Sequence, residues 1–390
     1  MTNPYRALPD HCFWSRSVSW TAPGHLDPMI ESPFRITPDL KVATMGSCFA
    51  QHIARHLARS GLNYFVAEAA PDAMPAEEAA ARQFGLFSAR YGNIYTVRQA
   101  VQLFDRAYGA FHPKEDVWAR GDVFIDPFRP LIEPDGFASP EAVRAAAQEH
   151  LAQVRRVFSE ADVIVFTLGL TEGWRSLEDG AVFAAAPGVS GGSFNPARHE
   201  KVNFSSRDVC EDLQALCDRI RSVNLGARVL LTVSPVPLIA THQEDQHVLT
   251  ATSYSKAVLR VAAEEISRSN AHVSYFPSYE IITSSHSQGA YFEPDLRGVR
   301  EVGVAHVMRV FSRHFLDDES QAPASTVLSI APSNTDVVCD EEVIEQALRD
   351  GGFLPSAAAN RPGQAEPSTA PAAETKPTKS RNFLTRLFSR

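Results

Sequence analysis

Gly46-Ser47-Cys48-Phe49-Ala50 sets a hydroxyl and a thiol side by side. A short run with the β-branched residues Val42 and Thr44 precedes it, and AQHIARHLARSG follows with helical spacing. Strand, tight turn and helix in that order put Ser47 and Cys48 at a helix N-terminus, where unpaired N–H groups and the positive dipole end favour negative charge. A nucleophile there is steadied as it ionises, and so is the oxyanion it makes from a carbonyl. Ser47 also has a bland role open to it as the helix N-cap, where Ser is preferred. Cys48 is a rival nucleophile, since helix N-termini lower thiol pKa values; its alternative is a small apolar side chain in the core. His52 and His56 stand i,i+4 on the same helix. HIARH lacks the glutamate of a helical zinc site and a third ligand, so no metal is expected there.

The elements that must position these groups alternate. Residues 41–44 read as the first core strand and 49–59 as the first helix, closed by Gly61. Residues 63–67 are a candidate second strand, and 87–96 a loop into a helix at 97–107. Residues 108–138, with four prolines, read as irregular. Ser139-Pro140-Glu141 is a helix start that should run to about 158. Residues 162–170 and 228–236 are apolar runs suited to doubly covered parallel strands. Residues 174–204 read as a long Gly/Ser-rich loop of functional kind. Helices are expected at 205–222, 253–267 and 296–314, with a strand at 272–282. Strand–helix alternation from 41 to 315 predicts an α/β fold with a mostly parallel sheet. Ligand sites in such sheets lie beyond the carboxyl ends of the strands, where Ser47, Thr171, Ser234 and the loop after Thr283 fall.

Bulk properties bound the partners. The chain has 390 residues, 44% hydrophobic, enough for a large core. A formal net charge of −9 argues against nucleic-acid binding. Five scattered cysteines argue against a disulfide framework and for a reducing compartment. MTNPYRALPDHCFWSR has no apolar segment of secretory type, and no run has the length of a membrane span, so the expectation is a soluble cytoplasmic protein. No cofactor is called for. Residues 1–40, rich in Pro and aromatics, are expected to form an arm packed on a domain at 41–320. Residues 321–354 form an extension with a short acidic helix near 340–353, and 355–390 a Pro/Ala-rich disordered tail. The tail ends in SRNFLTRLFSR (380–390). Its segment 381–390 is basic and amphipathic, suited to the inner membrane surface or a partner's groove.

The pentapeptide GSCFA resembles the signature of the GSCFA-domain family, which is similar to the SGNH (GDSL-like) hydrolases. FSARYGNIYT (87–96), TLGLTEGW (167–174), TVSPVP (232–237), YSKAVLR (254–260), YFPSYEIIT (275–283) and DLR (295–297) match in order. The resemblance runs from about residue 4 to 315. It implies a three-layer α/β/α sandwich with a mostly parallel central sheet, of SGNH or flavodoxin-like kind. It implies Ser47 as nucleophile, with the Ser47 and Gly92 N–H groups in the oxyanion hole. The family block that supplies an Asn to that hole reads Gly169-Leu170-Thr171-Glu172 here, so Thr171 stands in for the Asn. The Asp-x-x-His block puts Asp295 in the orienting role but Gly298 at the histidine position. His247 and His306, then His286, are the substitutes. The resemblance implies a serine esterase or acyltransferase acting on an acylated small molecule or a glycan, the glycan following from the family's association with surface polysaccharides. The alternative is a non-catalytic glycan- or anion-binding module that has lost part of the hydrolase site. A third expectation is a scaffold docked through 381–390.

Overall fold

The computed structural model describes residues 3–22 and 24–316. The extension at 321–354, the tail at 355–390 and the segment 381–390 lie outside the described residues.

In chain order the elements are β1 (Val42–Gly46), α1 (Ala50–Arg59), α2 (Ala76–Ala81), α3 (Val97–Ala107), β2 (Trp118–Arg120), β3 (Val123–Ile125) and α4 (Pro140–Glu160). Next come β4 (Val163–Leu168), β5 (Glu172–Ser176), β6 (Val182–Phe183), β7 (His199–Asn203), α5 (Ser206–Val223) and β8 (Arg228–Val233). The last are α6 (Val248–Ser269), β9 (Val273–Tyr275), α7 (Ser278–Thr283) and α8 (Glu301–Phe315). The central sheet has the order β1-β4-β8-β9 and is parallel at every pairing.

Strand residues alternate between two apolar layers, because successive side chains leave opposite faces of a strand. Ala43, Met45, Ile164, Phe166, Leu168, Val229, Leu231 and Val233 face α3, α4, α5 and α6. Val42, Val163, Val165 and Leu230 face α1, α7 and α8. The result is the expected three-layer α/β/α architecture. Three of its helices start at caps the sequence supplies. Ser139 bonds the Ala142 N–H with Pro140 in the first turn, and Thr96/Gln99 and Ser205/Asp208 form reciprocal capping boxes.

Several expectations change, among them the irregular stretch at 108–138, which carries the β2–β3 hairpin. Residues 63–67 make only an isolated bridge, Val42 with Tyr64. The segment expected as a long loop at 174–204 carries most of a three-stranded antiparallel sheet, β6-β5-β7. Its free end is stapled by Glu115, which accepts from Arg198 (2.7 Å), His199 Nε2 (3.0 Å) and Trp118 Nε1 (2.5 Å). The supposed strand at 272–282 breaks at Pro277 into β9 and α7, and α8 starts at Glu301 rather than 296. The N-terminal arm divides. Tyr5, Trp14 and Trp20 stand exposed, whereas Leu26 and Ile36 are buried. That buried part is sewn to α8: Ile36 N donates to Phe315 O, and Arg35 donates to the carbonyls of Arg313 and Leu316.

Candidate active site at the Ser47 turn

β1 ends in a turn that only glycine permits. Gly46 sits at φ +127, and a Cβ there would lie 2.2 Å from the Thr167 carbonyl oxygen. Ile94 N donates to Gly46 O at 2.8 Å, and Ser47 N to Thr167 O at 3.0 Å, so the turn is pinned on both sides. Gly169 presses on it from β4's end: a Cβ at 169 would come within 2.9 Å of both Ser47 Cβ and Tyr95 O. Ser47 is 2% exposed, and its Oγ has no hydrogen-bond partner among the described residues. The N-cap of α1 is Phe49, with no side-chain bond, so the capping role for Ser47 falls. Thr167 Oγ1, on the neighbouring strand, is likewise buried and unpartnered. Each buried, unanswered hydroxyl costs on the order of 1–3 kcal/mol, which marks this end of the sheet as built around something other than its own packing.

The expected oxyanion donors do not converge. The Ser47 N–H is engaged by Thr167, and the Thr171 hydroxyl donates to Asn203 Oδ1 at 2.7 Å. The Thr171 N–H goes to Ser255 Oγ at 3.0 Å. Gly92 turns at φ +67, and among the described residues no acceptor pairs with its N–H. Beside it Asn93 is buried, its Oδ1 accepting from Gln51 Nε2 of α1 at 3.3 Å.

The candidate histidines each have a defined role. His247 is exposed and caps α6, its Nδ1 accepting the Leu249 N–H at 3.2 Å. An accepting Nδ1 puts the neutral ring's proton on Nε2, which makes that nitrogen a donor and not a base. His306 is buried on α8 with both nitrogens engaged. Nε2 donates to Leu26 O and Nδ1 accepts from the Tyr291 hydroxyl, each at 2.7 Å. Burial holds its pKa below the ordinary value. His286 donates to Thr21 O at 3.0 Å. Asp295 is exposed and caps its own turn, Oδ1 accepting the N–H groups of Arg297 and Gly298. A Cβ at Gly298 would lie 3.1 Å from Glu293 Cγ and 3.6 Å from that Oδ1. Cys48 is buried in the core, as its apolar role required. His56 bonds Ser312 Oγ, and among the described residues no group of three or more His, Cys, Asp or Glu could hold a metal ion.

Two contributors escape a reading by motif. Lys256 of α6 is 2% exposed, and its Nζ donates to Gly169 O at 2.7 Å. It therefore fixes, from behind, the backbone that presses on Ser47. Its spacing from Leu259 and Ala263 was the available signal, since i, i+3 and i+7 share one buried stripe. Glu172, beside Thr171, accepts from Thr241 Oγ1, Gln243 Nε2 and His242 N, and so ties the loop before α6 to β5. The first turn of α6 completes the wall, with Val248 and Ala251 packed against Tyr95 and Leu170.

The model of the family described as the GSCFA family matches residues 41–311. No curated protein matches the chain.

Proposed function

The chain belongs to the GSCFA family, and from that membership and the surroundings of Ser47 we propose that the domain is a binding module that holds an acylated or anionic ligand, such as an acylated glycan, without a histidine base. It keeps the strand–turn–helix of an SGNH-like nucleophile site and has lost the proton shuttle. The carrying observation is the disposition of the histidines: Gly298 stands where the base belongs, and His247, His286 and His306 are committed to a helix cap or to arm and core contacts. An unactivated serine hydroxyl is a poor nucleophile. What supports binding is the pair of groups at the turn, the Ser47 Oγ, unpartnered among the described residues, and the Gly92 N–H.

The test compares wild type with Ser47→Ala, using p-nitrophenyl acetate for turnover and ligand-observed NMR with an O-acetylated oligosaccharide for binding. The expected result is no turnover above buffer in either protein, with saturable binding retained by both. Hydrolysis in wild type that vanishes in Ser47→Ala overturns the reading.

A second reading, a serine esterase or acyltransferase, draws on the same unpartnered Oγ. Under it a fluorophosphonate labels Ser47 in wild type. Docking of residues 381–390 on a membrane surface is a separate part of the proposal, and deletion of that segment should release the protein from anionic vesicles.

A further inference from the structure

A small cavity of about 20 Å³ lies on α3, bordered by the Tyr91–Ile94 loop and the turn after β3. Two guanidinium groups, of Arg106 and Arg129, line it. Arg129 is 2% exposed. Its Nε is paired with Asp126 Oδ2 at 2.8 Å and its Nη1 reaches Arg90 O at 3.4 Å. Its Nη2 is buried with no partner among the described residues. The Arg106 side chain makes no hydrogen bond among the described residues; its guanidinium lies over the Phe128 ring, 3.9 Å from the centroid. Asp126 is the carboxylate at this place, and it is already occupied by Arg129 Nε and the Phe128 N–H. The nearby Glu68 and Glu133 are taken by His150, Arg90 and Arg82. Two guanidinium groups therefore line one small space, Arg129 with an unanswered Nη2; Asp126 acts on both, and Asp116 also acts on Arg106.

We propose that this cavity binds one small monovalent anion of chloride size, held by Arg129 Nη2 and the Arg106 guanidinium. A buried donor on a charged group needs an acceptor, and an anion makes a stronger, charge-assisted bond to a guanidinium than a water does. The volume sets the size, since about 10–15 Å³ admits a single water-sized particle. Burial pulls Arg106 down to about 10, which still leaves it cationic at neutral pH. The anion would brace the Tyr91–Ile94 loop, whose Asn93 reaches Gln51 on its other side. The inference is independent of what Ser47 does.

The experiment measures the melting temperature of the full chain in sodium chloride, sodium bromide and sodium gluconate at matched ionic strength. The two halides should raise it over gluconate by roughly 2–4 °C once they exceed the dissociation constant about tenfold. The Arg106→Gln protein should show no such difference. Equal melting in the three salts, or a halide shift that survives in Arg106→Gln, overturns the proposal. Crystals soaked in bromide decide the matter if that variant does not fold. An anomalous peak in contact with Arg129 Nη2 supports the site, and a water there in its place overturns it.

Discussion

Among the described residues Ser47 Oγ has no hydrogen-bond partner, so its removal breaks no bond. Ser47→Ala should therefore melt at or above the wild-type temperature; a clear loss of stability would mean the hydroxyl has a structural partner. Gly46→Ala is the opposite case. Its Cβ would collide with the Thr167 backbone at a φ that side chains rarely adopt, so the loss should reach the large end of single substitutions, ~4 kcal/mol, in a urea unfolding curve. The pentapeptide made the turn legible, since a hydroxyl between a β-branched run and a helix has few explanations. Lys256 was not legible in the same way. A lysine in YSKAVLR suggests a solvated helix face until the chain is folded and its ammonium is found under Gly169.

Elements tell a similar story. The strands buried on both faces, β4 and β8, announced themselves as unbroken apolar runs. β5, β6 and β7 did not, because strands of two to five residues with Glu, Arg, Lys and Asn in them carry no clean alternation. Their pairing depends on partners distant in sequence and on the Glu115 staple, which no local pattern reveals. β9 and α7 merged in the sequence because aromatic and aliphatic residues stand on both sides of the break at Pro277. Glu172 links this added sheet to the loop before α6. Its replacement by Ala removes three bonds to a carboxylate, each worth roughly 1.5–3 kcal/mol. Hydrogen exchange in residues 238–247 should then quicken at least about tenfold, with the central sheet unaffected. Unchanged exchange would show that the loop is held by its apolar contacts instead.

At the scale of the whole molecule, burial of imidazoles makes stability depend on pH. His52 is lowered to about 4 by burial, aided by Arg55, and His150 to about 4 by burial, aided by Arg129. Both stay neutral in the native state down to that range, whereas the unfolded chain takes up their protons near 6.5. The unfolded state thus binds more protons, and stability holds above about pH 6.5 and falls toward pH 4. The fall approaches ~1.4 kcal/mol per pH unit for each ring, so urea midpoints should drop steeply between pH 6 and 5. His52→Leu should reduce that slope by one proton, and midpoints flat from pH 7.5 to 5 would count against the assignment. The seam between the N-terminal arm and α8 has a consequence for synthesis. Leu26 O meets His306 across 280 residues, and Ile36 pairs with Leu316. A ribosome adding ~5–20 residues per second leaves that arm without its partner for roughly 14–56 s. During that interval Leu26 and Ile36 present apolar surface at the exit tunnel, and α8, the last of the described helices to emerge, covers them.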